Sequence, residues 1–248
     1  MRPSEHEFLA SHPLVRTDDL SEARHCVTQK FCDHRLTLAA RAPLSLRHNH
    51  VAGQAVSLNY LHYGADVAID PGMLGGFYLL QIPLSGGAEI LHRGAEVTAS
   101  AATASLLNPD RETRMRWGGN CRKLLLQIDK GHLQSVAEAL TGTPMPGAIR
   151  FDPGVDLTRP QGRRLRQLVI GCALACERDG LFERSDARDT LVEHELAAAL
   201  LSLQPSNISH ILAGAARQAL PRDIRRALEV IHANLAGGPA APHRPEYE

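Results

Sequence analysis

Neither sign of charge is in excess in this chain, with 27 Lys+Arg against 27 Asp+Glu over 248 residues. That balance removes any global pull toward nucleic acid or an anionic surface. The one local cluster, Arg163, Arg164 and Arg166, reads as the solvated face of a helix. Long apolar runs are missing too: none approaches the ~18 residues of a membrane span. The N-terminus has no secretory core, only Phe8-Leu9-Ala10 between polar residues. These absences lead to the expectation of a cytoplasmic protein with no membrane partner. The cysteines (Cys26, Cys32, Cys121, Cys172, Cys176) form no framework. An odd number in a chain of this size predicts reduced thiols. Cys172 and Cys176, at i, i+4 with Leu165, Leu168 and Val169, read as small buried hydrophobes.

Catalytic motifs are absent as well. There is no Gly-x-Ser-x-Gly elbow, and no Cys has a His partner in a recognisable frame. Gly72 to Gly76 lacks the Lys-Ser/Thr that would complete a phosphate loop, and no Gly-x-Gly-x-x-Gly occurs. Carboxylates of the strand-rich region (Asp66, Asp70, Glu89, Glu96, Asp110) sit at turns or ends and are not paired. His48-Asn49-His50 puts two imidazoles on one face of a strand, as a metal site would. However, Val51 to Tyr60 holds no carboxylate, and His92 stands beside the Arg93-Gly94 turn, which places it at a rim. The expectation is no metal, no cofactor and no enzyme.

What is present divides by periodicity. Leu20, Ala23, Val27 and Phe31 predict an opening helix, with Thr17 and Asp18 available to cap it. From about Arg35 to Asp129 short strands alternate with turns: Ser57 to Tyr63 ends at Gly64, and Phe77 to Leu84 runs into Ser85-Gly86-Gly87. Ala88 to Leu91 meets Arg93-Gly94 and returns as Glu96 to Thr98; Thr103 to Leu107 stops at Asn108-Pro109. In Arg122 to Ile128, Leu124, Leu126 and Ile128 face one way, Lys123, Leu125 and Gln127 the other. Hairpin turns at this spacing predict an antiparallel sandwich or barrel, with Pro83 at an edge or a bulge. Helices follow at His132 to Leu140, Pro160 to about Glu177, and about Asp186 to Leu203, the last with a stripe of Val192, Leu196, Ala199, Leu200 and Leu203. Two such helices are not expected to bury their stripes on one small barrel, so a second copy of the chain is the expected cover.

Within apolar strands stand five polar-tipped residues, Tyr60, His62, Tyr78, Gln81 and Trp117. Apolar walls with a few placed polar groups make small-molecule pockets, and barrel mouths favour them, so these five are the candidate ligand contacts.

Further along, Pro221 sets the first turn of an amphipathic helix to Ala236, with Ile224, Leu228, Ile231 and Leu235 on one stripe. A tail rich in Gly and Pro, 237–248, follows. The strand sequences Ser57 to Val67, Phe77 to Gly86, Ser105 to Pro109 and Arg122 to Asp129, with Trp117 and the Leu220 to Ala236 helix, together resemble the AraC/XylS family of transcription regulators, over roughly residues 8 to 236.

The resemblance implies an α+β protein: a cupin-like antiparallel β-barrel over 1–150 that binds a small effector, then a helical dimerisation segment over 151–220. It makes 221–236 the first helix of an incomplete helix-turn-helix domain and leaves 237–248 as a disordered tail. The family's DNA-contacting residues find no counterpart, so none is assigned, and DNA is a partner only if that missing domain is supplied. The expected partners are thus a small-molecule effector and a homodimer or heterodimer mate. Two alternatives stand beside this reading: a stand-alone module that heterodimerises with an intact regulator, and a cupin-type metalloenzyme.

Overall fold

The computed structural model describes residues 6–39 and 43–219. The helix expected at 221–236 and the tail at 237–248 lie outside the described residues. Described strands are β1 (Pro13–Thr17), β2 (Arg35–Leu38), β3 (Leu46–Ala52), β4 (Val56–His62), β5 (Val67–Gly72), β6 (Phe77–Ser85), β7 (Ala88–His92), β8 (Ala95–Ala99), β9 (Thr103–Leu107), β10 (Thr113–Trp117), β11 (Arg122–Asp129) and β12 (Gly154–Asp156). Described helices are α1 (Leu20–Lys30), α2 (Lys130–Thr141), α3 (Pro160–Asp179), α4 (Ala187–Leu203) and α5 (Ser209–Ala219).

The strands pair antiparallel into two sheets, in the order β1-β3-β4-β11-β6-β9-β12 and β2-β5-β10-β7-β8. Facing one another they enclose a flattened barrel filled by Leu61, Ile69, Leu79, Ile90, Trp117 and Leu125. The larger sheet is covered on its other face as well. Leu58, Leu80, Leu106, Leu124 and Leu126 meet Leu165, Val169, Ala173 and Cys176 of α3 and Leu196, Ala197 and Leu200 of α4. Burial on both faces explains why β4 and β6 read as near-continuous apolar runs with little alternation. The molecule is therefore an α+β, cupin-like fold with a helical layer on one wall.

That layer corrects one expectation and bears on another. Both α3 and α4 bury residues against the barrel, while Leu168 of α3 and Leu191 of α4 stay exposed. The buried face of α4 is also rotated from the expected one: Asp189, Glu193, Leu196, Ala197, Leu200 and Leu201 are buried, and Val192 and Ala199 only in part. Glu193 earns its place by accepting the backbone N–H groups of Ala55 (2.9 Å) and Val56 (3.2 Å), and Asp189 accepts from Phe182 N (3.0 Å). Two carboxylates on the inner face are outside the apolar pattern because their partners are main-chain donors of other segments.

Local signals elsewhere read as expected, with shifts of detail. Asp19 caps α1, accepting from Glu22 N at 2.7 Å, while Thr17 accepts the Asp19 N–H at 3.1 Å; Asp18 does not cap. Pro83 lies in a central strand, opposite Lys123, where the β6–β11 register slips: a bulge, not an edge. Strand pairing continues past residue 150, since β12 adds to β9. Arg163 and Arg164 are solvent-exposed and Arg166 half-buried on α3; Arg163 and Arg166 also reach carbonyls of Thr158 and Ala101.

Candidate functional site

Alternation along the two-faced sheet decides which side chains enter the lumen. On β11, Lys123 and Leu125 point inward and Leu124 and Leu126 outward to the helices. On β4, Leu61 points inward, and Tyr63 just after the strand does the same. The lumen holds a cavity of about 50 Å³. Leu61, Leu79 and Leu125 of the larger sheet and Ile69, Met115 and Trp117 of the smaller one wall it. Its mouth is closed by Val27 of α1, Phe31, Cys32 and His34 just beyond that helix, and Leu74.

Lys123 is the unusual member. It is 1% exposed, and its Nζ has no hydrogen-bond partner. The ammonium sits over the Trp117 ring, 3.4 Å from its centroid, and 4.8 Å from that of Tyr63. The negative faces of the two rings offset part of the cost of burying a charge. None of the residues around the cavity is Asp or Glu. Burial accordingly drives the Lys123 pKa down to about 7 and pushes the Tyr63 phenol well up. Trp117 Nε1 and His34 Nε2 are also buried without partners, and Gln81 spends its amide on the weak acceptor Met115 Sδ at 3.3 Å. The lumen thus carries three polar atoms without hydrogen-bond partners, Lys123 Nζ, Trp117 Nε1 and His34 Nε2.

Of the five expected contacts, the structure brings only Gln81 and Trp117 together in this lumen. Tyr78 lies on the helical side, donating its hydroxyl to Ile149 O (2.7 Å) and meeting Phe151 edge-on at 5.5 Å. Tyr60 and His62 share that outer direction and line a separate recess of about 150 Å³ with Glu7, Arg47 and Arg122. The His62 Nδ1 lies 3.1 Å from Cys121 O. Lys123 is not among the five, although a lysine that shares the face of Leu125 on β11 is a signal visible in the sequence.

The histidines take structural roles. Asn59 Oδ1 receives both His48 Nε2 (2.9 Å) and His50 Nδ1 (2.8 Å), so the paired imidazoles converge on an amide oxygen. Among the described residues no cluster of three His, Cys, Asp or Glu could hold a metal. His92 is fully buried rather than at a rim. Its Nε2 accepts from Asn108 N (2.9 Å) and its Nδ1 donates to Thr113 Oγ1 (2.8 Å), while Asn108 clamps Phe151 through both N (2.8 Å) and O (3.0 Å). Burial lowers the pKa of His48 and of His92 to about 4. The five cysteines are free, and burial raises Cys172 to about 11 and Cys176 to about 12, which marks them as inert packing thiols.

A closed barrel lumen with orphaned polar groups, walled by one sheet that helices cover from outside, coincides with a known domain: the AraC-binding-like domain matches residues 23–204, spanning both the barrel and the helical layer. The chain belongs to that family. A solved AraC-like transcriptional activator, CuxR, has a similar structure, with a TM-score of 0.57 over 90% of this chain and 79% of that one. At 11% identity the likeness is one of fold. Two further solved structures are similar over less of this chain: the Cnp3 cupin domain of Schizosaccharomyces pombe (10% identity, 43% of this chain, 79% of that one, TM-score 0.30) and KdgF from Halomonas sp. (12%, 40%, 92%, 0.30). No curated protein matches. Every residue named on the lumen wall falls inside the AraC-binding-like match.

Proposed function

We propose that this AraC-binding-like chain is the effector-sensing and dimerising portion of a transcription regulator, and that its effector binds in the barrel lumen. The observation that carries the reading is the lumen itself: an apolar cavity, closed by side chains in and just after α1, with Lys123 Nζ, Trp117 Nε1 and His34 Nε2 left without hydrogen-bond partners. Polar groups that cost free energy in the empty state are the usual mark of a site whose ligand satisfies them. The AraC-like character of CuxR agrees with this reading.

Effector binding is tested by thermal melting against a library of small metabolites. Wild-type protein should give at least one saturable rise in melting temperature. Leu125→Phe, which adds volume to the lumen wall, should abolish that rise. No hit, or a hit that Leu125→Phe keeps unchanged, would overturn the reading.

Pairing rests on the exposed apolar side chains of the helical layer, Leu168 (37%) and Leu191 (58%), which the barrel does not cover. Sedimentation should give a dimer for wild type and a monomer for Leu168→Glu or Leu191→Glu. A wild-type monomer at micromolar concentration would contradict it.

A further inference from the structure

The partner that Lys123 lacks identifies the class of molecule the lumen takes. Resting on the sensor reading above, we infer that the effector is a small monoanionic carboxylic acid with an apolar body, its carboxylate set against Lys123 Nζ. Three independent features converge on this. The ammonium is 1% exposed, has no hydrogen-bond acceptor, and shares its cavity with no Asp or Glu. What surrounds it instead are ring faces, Trp117 at 3.4 Å and Tyr63 at 4.8 Å, which favour the cation over the neutral amine. The other orphaned group on the smaller sheet's wall, Trp117 Nε1, is a donor only and asks for an acceptor.

A neutral ligand would offer Lys123 no counter-charge, and a cation would be repelled. A dianion would find one lysine for two charges, since no Arg lies on the lumen wall. The remainder of the wall, Leu61, Leu79, Leu125 and Ile69, suits a hydrocarbon body. The free space of about 50 Å³ is far below the ~300–1,000 Å³ of sites for drug-sized ligands. That space is less than two waters occupy, so even a compact acid requires the mouth formed by Phe31 and Leu74 to open.

The chain's single tryptophan is the residue under the ammonium, so its emission reports on this contact directly. Titration of Trp117 fluorescence with isobutyrate and isovalerate, against isobutyramide and isovaleramide as neutral isosteres, tests the inference. The acids should bind about ten- to a hundredfold more tightly than the amides, the range expected for a hydrogen bond to a charged group. Lys123→Met should lose the acids while keeping a cooperative melt. The comparison of acid with amide in wild type stands even if that variant fails to fold. Equal response to acid and amide, or acid binding retained by Lys123→Met, would overturn the carboxylate and leave the lumen as a sensor. A response only to probes of another class, such as isobutylamine or a neutral sugar, would do the same. Silence of Trp117 to every probe would overturn the inference, and with an empty library screen it would overturn the sensor reading as well.

Discussion

At the scale of single residues, Lys123 weighs against the fold it sits in. Its pKa is pulled from 10.5 to about 7 by burial, which outweighs the opposing influence of Cys121. Between those values the unfolded chain holds the proton that the folded one releases, so stability contributed at this position rises from pH 7 toward 10.5 and is lowest below pH 7. Lys123→Met removes the burdened charge at nearly constant volume. It should raise stability by about 1–4 kcal/mol, the range seen when buried charge is replaced by apolar groups. A urea midpoint at pH 7 that moves upward checks this; a fall would mean that the ammonium has a partner.

His48 and His92 work in the same direction as Lys123, in a more acidic window. Both stay neutral in the folded state to about pH 4, and both protonate in the unfolded chain near 6.5. Acidification from 6.5 to 4 should therefore cost about 1.4 kcal/mol per pH unit for each, visible as a falling urea midpoint. A midpoint flat over that window would show these imidazoles to be more open to water than their burial implies.

Among elements, the junction of barrel and helices turns on one carboxylate and one glycine. Glu193 of α4 satisfies the N–H groups of Ala55 and Val56 at the β3–β4 turn, and a Cβ on Gly53 would stand 2.1 Å from its Oε1 and 3.0 Å from the Phe182 ring. Glu193→Ala should cost about 1–3 kcal/mol through the two donors it strands, and Glu193→Gln, which keeps an acceptor, less. Gly53→Ala should cost about 1–3 kcal/mol by overpacking. Chemical denaturation of the three variants checks the order.

This junction also shows what was legible in the sequence. Strands ended by glycine turns (β4, β6, β7) and the three long helices were readable because each carries its own punctuation. β12 was not readable: three residues carry no period, and it becomes a strand only by docking on β9. The inner face of α4 was misjudged because Asp189 and Glu193 answer to main-chain groups distant in sequence. Most consequential was the larger sheet. Where both faces are buried, alternation reveals two faces but not which one is the lumen, so Tyr60 and Tyr78 could not be told from Gln81. Trp117 stands on the smaller sheet, where the pattern of alternating buried and exposed residues marks the lumen side.

For the whole molecule, one shared core binds the strands to the helices that follow them. Tyr78, Leu80, Leu124 and Leu126 on the sheet have α3 and α4 as their cover. A fragment ending at residue 157 should expose that face, bind hydrophobic dyes and fail to melt cooperatively; a cooperative melt would show the barrel to be independent. The same continuity gives a physical route from lumen to helices, because Lys123 and Leu125 face the cavity from a strand whose Leu124 and Leu126 pack on the helical layer.

The measurement that bears most directly on the lumen as the sensing site is methyl NMR of methionine-labelled protein. Met115 lies on the cavity wall, Met145 in the outer core and Met73 on the surface at 62% exposure. A compound that raises the melting temperature should shift the Met115 methyl first and most, leaving Met73 in place. A shift confined to Met73 or Met145 would contradict a lumen site.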